Sequence, residues 1–200
     1  MGQRRREKSL ARFTLNVSQS FTTGASMKDH IIKYYDSAQS YYGTYHNHKE
    51  VSAWAGLVLH VLFIGFVSRI EATKHFYTEV ALSIIAVSLL LAVLTYRYIS
   101  NQLKMKDQAG AHAGAAKFFL AKVMLEEESQ IDAKWYLEVE DSDDINAQSS
   151  HVLPAKMLAK SKALNTRARG FQDRTKNMIY AILFLSTVFS VAVRAADILG

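Results

Sequence analysis

Residues 51–68 read VSAWAGLVLHVLFIGFVS, with no Asp, Glu, Lys or Arg among them. At about 1.5 Å of rise per residue, a helix of 17 or 18 residues reaches about 26 Å. That is the lower end of what a hydrocarbon core of about 30 Å requires. Two more runs of this kind follow: residues 80–96 (VALSIIAVSLLLAVLTY) and residues 177–193 (NMIYAILFLSTVFSVAV). A soluble helix usually carries charge along one face, which argues against three helices buried in a water-soluble core. The expectation is an all-α integral membrane protein with a transmembrane hairpin and a third span. Long cytoplasmic helices and one small two-stranded β pairing complete the expected fold.

The remainder of the chain sharpens the contrast. Half of its residues are hydrophobic, yet the mean hydropathy is only −0.01, so apolar residues are concentrated in blocks. Cysteine is absent, which excludes a disulfide framework and a thiolate metal site. The net charge is +6, and its placement is more telling than its size. Residues 1–50 and 97–176 together hold 21 of the 24 Lys and Arg residues, against 3 in 69–79 and 194–200. By the positive-inside rule the N-terminus faces the cytoplasm, the first two spans form a hairpin, and the tail from Arg194 lies outside. No apolar stretch follows Arg4–Arg6, so no secretory signal is expected, and Arg6 stands where a myristoylation motif needs Ser or Thr. An organelle transit peptide remains an alternative reading of the Arg- and Ser-rich start.

The expected organisation runs in five parts. Residues 1–50 form a cytoplasmic strand and aromatic helix, 51–96 the hairpin, and 97–176 cytoplasmic helices with an acidic segment. Residues 177–193 are the third span and 194–200 the tail. Residues 11–18 alternate in strand fashion, with Phe13, Leu15 and Val17 on one side. Ser26 with Asp29 gives a capping-box start, and Ile31, Tyr34, Tyr35, Ala38, Tyr41, Tyr42 and Tyr45 then mark one helical face. Trp54, Phe76, Tyr77, Tyr96, Tyr98 and Tyr180 fall where interfacial rings belong. The pattern after Asn101 predicts a helix to about Leu125, with Ala109, Gly110, Ala113, Gly114 and Ala116 allowing another helix to approach closely. Trp135, Leu137 and Val139 alternate again, predicting a second short strand that pairs with residues 13–17. Pro154 suits the first turn of a basic helix.

Two groups of side chains stand out as candidate sites. Before the first span lie Tyr45, His46, His48, Glu50 and Trp54, a set suited to contact with a ligand or a partner. His46 and Glu50 share a helical face while His48 does not, so a shared metal is not expected. The alternative for this set is an interfacial anchor at headgroup level, while the tyrosine face upstream of it is read as packing against the 101–125 helix. Inside the first span, His60 is the one ionisable group at depth, an expected mark of function. Depth matching places His60, Ser88 and Ser186 in one polar layer. A neutral imidazole locking helix packing is the plainer reading, and a polar seam in an oligomeric pore is the other.

No glycine-rich phosphate loop, nucleophile elbow or paired-His helix occurs, so no catalytic residues, metal or cofactor are expected. Asp141, Asp143 and Asp144 do not make a calcium loop, because Ile145 and Asn146 follow. The lipid bilayer and further copies of the chain in a homo-oligomer are the expected partners. Lys156, Lys160, Lys162, Arg167 and Arg169 are expected to meet anionic lipid at about 1 kcal/mol each. No specific nucleic-acid partner is indicated.

A capped aromatic helix enters a tight two-span hairpin past residues 45–50 and Trp54, and the second span continues as a long helix over 98–122. This organisation, over about residues 26–125, resembles the SLATT-type small bacterial membrane effectors that accompany nucleotide-signalling anti-phage systems. The third span departs from the two-span pattern. The resemblance implies assembly in the bacterial inner membrane and loss of membrane integrity when a cytoplasmic sensor protein or nucleotide signals. It carries over no catalytic residues. The expected function is a non-enzymatic, oligomerising membrane effector or pore-forming subunit. The alternatives are a structural or adaptor subunit of a larger complex and a small channel with His60 in its path.

Overall fold

The computed structural model describes residues 26–70, 77–138, 153–168 and 174–199. Five α-helices occur among them: α1 Met27–Val67, α2 Tyr77–Leu125, α3 Ala133–Leu137, α4 Ala155–Ala168 and α5 Arg174–Leu199. A short 3-10 turn, Glu128–Gln130, links α2 to α3. α1, α2 and α5 are long and apolar enough to cross a membrane. The strand expected at residues 13–17 lies outside the described residues, as do Phe76 and residues 139–144 of the acidic segment.

Helix starts are chemically marked. Ser26 Oγ accepts the Asp29 N–H at 3.3 Å, so the capping serine opens α1 as its sequence suggests. Asp29 also places a carboxylate at the positive end of the helix dipole. α1 then continues to Val67 without a break between residues 50 and 51. α2 likewise runs through its apolar stretch to Leu125. The Pro154 carbonyl accepts the Leu158 N–H at 2.9 Å, which puts proline immediately ahead of α4.

Two compact units divide the chain: Met1–Tyr41 with His112–Ala163, and Tyr42–Ala111 with Leu164–Gly200. α1 and α2 therefore each contribute to both. The first unit is centred on aromatic rings. Ile31 and Tyr35 are fully buried, alongside Ala115, Phe119, Val123, Tyr136 and Met157. The Tyr35 ring stacks on Phe119 with centroids 5.5 Å apart. Tyr136 meets both rings edge-on, an arrangement that their quadrupoles favour. Tyr35 Oη donates to the Tyr136 carbonyl at 2.7 Å, and Tyr136 Oη donates to Glu126 at 2.7 Å. Burial raises both phenols above their usual range, reinforced at Tyr136 by Glu126, so each keeps the proton it donates. Lys28 Nζ donates to the carbonyls of Met124 and Glu126 at 3.4 and 2.5 Å, bringing a cation to the carbonyl end of α2.

The second short strand, expected at residues 135–139, is not formed at Trp135–Leu137, which belong to α3. Asp132 Oδ1 accepts from the Lys134 and Trp135 N–H groups at 3.0 and 3.3 Å, starting a helical turn. That turn buries Tyr136 in the aromatic core and sets the half-buried Trp135 ring edge-on to Phe119 and Tyr136. Tertiary burial of one ring overrides a weak alternation of three residues.

The second unit has an aliphatic core of Ala53 and Leu57 from α1, Ile99 and Leu103 from α2, and Ile179 and Leu183 from α5. Trp54 and Tyr180 pack against it. Two glycines permit close helix approach: a Cβ on Gly56 would stand 2.9 Å from the Tyr98 ring, and one on Gly110 would stand 3.0 Å from His46 Nδ1. Gly110 belongs to the small-residue run read from the sequence.

Tyr35→Phe should lower stability by about 1–3 kcal/mol, because it leaves the buried Tyr136 carbonyl unsatisfied. A matched Tyr41→Phe change, at a residue 58 % exposed, should cost much less. Thermal unfolding of the two variants side by side checks this.

Candidate functional site

The polar groups of the second unit lie at separate stations. Nearest the unit boundary, His46 and Glu50 lie one helical turn apart on α1 and both meet Lys106 of α2. His46 Nδ1 is 3.0 Å from the Lys106 carbonyl, and Glu50 Oε2 is 3.2 Å from Lys106 Nζ. Lys106 is buried, and that carboxylate is its ion-pair partner. Tyr45 Oη reaches Met105 Sδ at 3.8 Å, and Lys49 Nζ lies 4.9 Å from the centre of the Tyr45 ring. His48 is exposed, and its carbonyl accepts from Ser52. The structure thus brings His46, Glu50 and Tyr45 onto α2, sends Trp54 into the aliphatic core, and leaves His48 apart. Among the described residues no three carboxylate or imidazole groups gather as metal ligands would.

Deeper along the apolar stretches the partners differ from the expected layer. His60 Nε2 is 3.1 Å from Thr187 Oγ1, and Ser88 Oγ is 3.4 Å from Ser190 Oγ. Ser186 instead donates to Leu183 of its own helix. Position 186 has the right depth but the wrong azimuth, since one residue turns a helix by about 100°. His60 and Ser88 sit on two rungs, each closed by a different α5 hydroxyl, and both are buried. Thr187 Oγ1 donates its single hydrogen to the Leu183 carbonyl at 2.7 Å, so it must accept from His60. Nε2 therefore carries a proton, and because a buried imidazolium without a carboxylate beside it would be costly, the ring is neutral and Nδ1 holds a lone pair. Among the described residues no group bonds to that Nδ1.

Beside His60 lies a cavity of about 500 Å³ between α1 and α2. Leu59, His60 and Phe63 form part of one wall, and Leu91, Leu94 and Thr95 part of the other. Further along, Arg194 donates to the carbonyls of Val67 and Ile70 at 2.8 and 2.9 Å, placing a cation at the carbonyl end of α1. The sequence reading did not find Thr187, Ser190 or the Arg194 contacts. A three- and four-residue spacing of hydroxyl residues on α5 was the available signal.

In the first unit, the lysines expected to meet lipid are partly engaged within the protein. Lys156 and Lys122 each place Nζ 3.8 Å from the Trp135 ring centre, and Lys160 lies 3.9 Å from that of Phe118. Lys162 is exposed. Arg169 and the Arg167 side chain are outside the described set. Ser161, buried on α4, bonds His112 Nδ1 of α2 at 2.8 Å.

Thr187→Val should weaken packing by roughly 0.6 to 1.7 kcal/mol, the span of polar contacts between apolar helices, whereas Ser186→Ala should stay near neutral. Reversible unfolding in detergent distinguishes the two. Burial lowers the His112 pKa from its usual 6.5, so the unfolded chain binds a proton more readily than the folded one. Stability should therefore be full above pH 6.5 and fall as the pH drops below it. His112→Gln should make that acid limb shallower in a pH series of melting curves. No protein-family model, curated protein or solved structure matches the chain.

Proposed function

We propose that this chain is a multi-pass membrane protein acting as a non-enzymatic, oligomerising effector or pore-forming subunit. The membrane part of the reading is supported by how little the apolar helices cover one another. Only 28 % of the most apolar window of α1 is buried, 17 % of that of α2 and 28 % of that of α5. An apolar surface of that extent needs lipid or further copies of the chain around it. The charge distribution supports an N-terminus in the cytoplasm, and the SLATT-like organisation supports the bacterial inner membrane.

The effector reading rests on one observation: α1 and α2 pass from the aromatic unit into their apolar stretches as unbroken helices of 41 and 49 residues. A signal, whether a cytoplasmic sensor protein or a nucleotide, that repacks Tyr35, Phe119 and Tyr136 would act on the same two helices that line the lipid. The bond between His60 and Thr187 favours one further reading, a small channel in which this pair lies along the path. Conductance unaffected by His60→Ala and by pH would dismiss it.

Induced expression in bacteria tests the main proposal. Growth arrest with entry of an impermeant dye is expected, with the chain retained in carbonate-washed membranes. Healthy, dye-free cells carrying fully inserted protein would overturn the effector reading in favour of an adaptor subunit. Release by carbonate would overturn the membrane reading itself.

A further inference from the structure

We infer that the cavity between α1 and α2 is a binding site for an uncharged, membrane-soluble amphiphile bearing a hydroxyl, of the long-chain alcohol or phenol class. The inference uses the membrane placement proposed above but does not require that the protein permeabilise anything. The cavity's volume of about 500 Å³ lies within the range that holds small organic ligands, roughly 300–1,000 Å³. Leu59, Phe63, Leu91 and Leu94 give it apolar walls, and no Lys, Arg, Asp or Glu lines it. A charged head would find no counter-ion there, so the occupant is neutral.

His60 supplies the polar recognition. The residue lines the cavity yet is only 2 % exposed. The hydrogen bonds around Thr187 leave Nδ1 as an acceptor that no group among the described residues meets. In hydrocarbon no bulk water stands ready to satisfy that lone pair. An occupant whose O–H donates to Nδ1 supplies the missing partner, while one that can only accept does not. Nδ1 is itself sealed, so binding requires a local shift of the side chains around it and is expected to be slow. Through Nε2 the same ring holds Thr187 of α5, which makes the occupant a neighbour of the contact joining α1 to α5.

The test uses the full chain in phosphatidylcholine nanodiscs with a diazirine-bearing dodecanol as photoprobe and its methyl ether as control. The alcohol is expected to label residues 55–63 and 91–98 and to be displaced by excess dodecanol. The ether is expected to label these about tenfold less, the size of one hydrogen bond. His60→Phe should erase the preference for the alcohol. Leu94→Trp, at a position 54 % exposed and thus tolerant of bulk, should fill the cavity and abolish labelling. Equal labelling by alcohol and ether, labelling spread evenly over outward residues such as Leu62 and Leu185, or full labelling of Leu94→Trp would each overturn the inference. If His60→Phe does not fold, the alcohol-to-ether ratio on the unaltered chain and the Leu94→Trp result decide. Site-specific labelling in a protein that leaves cells healthy would retain this site while removing the effector reading.

Discussion

Leu59, Leu62 and Phe66 on α1, Leu90 and Leu94 on α2, and Phe184, Leu185 and Phe189 on α5 are each more than half exposed. At roughly 25 cal/mol per Å² of apolar surface, water is a poor medium for such an array. In the proposed membrane setting these side chains meet an apolar surrounding instead. Given one, hydrophobic burial no longer decides how the three helices meet, because lipid tails are as apolar as leucine. Close backbone approach and a few polar pairs must decide instead. Gly56 against Tyr98 provides the first. His60 with Thr187 and Ser88 with Ser190 provide the second.

The aromatic unit works by the opposite logic. There, Tyr35, Phe119 and Tyr136 are buried by ordinary hydrophobic packing, and their hydroxyls and carbonyls are satisfied internally. The ammonium groups of Lys122, which also pairs with Glu126 at 3.5 Å, and of Lys156 are drawn towards the core over the face of Trp135. Charge in this unit is thus partly structural, and less of it is left for an external surface than a count of lysines suggests.

Periodicity and charge made the long elements legible. An uncharged run has one stable solution in lipid, and Ser26 with Asp29 declares a helix start locally, so α1, α2 and α5 could be read directly. The small-residue run around Gly110 was readable for the same reason, since its consequence is steric. The failures share a different cause. Trp135, Leu137 and Val139 look like a strand because alternation in three residues is cheap, and only the burial of Tyr136 reveals the turn. Ser186 was chosen over Thr187 by depth, a quantity that sequence fixes to within a turn. Azimuth depends on how α5 rotates against α1, which is a property of the packed helices and not of either one alone. The Lys106 contacts with His46 and Glu50 were hidden similarly, because the partner lies on another helix.

Arg194 follows Val67 by 127 residues, yet it is the group that meets the Val67 and Ile70 carbonyls. At roughly 5–20 residues per second, synthesis leaves about 6 to 25 s between the two. During that interval the newly made end of α1 has neither the guanidinium nor α5 beside it. Until the last helix arrives, the Val67 carbonyl has the Ile70 N–H of its own turn, at 3.2 Å, in place of the guanidinium. The order of the chain therefore makes assembly of this corner a late event that waits on the C-terminal helix.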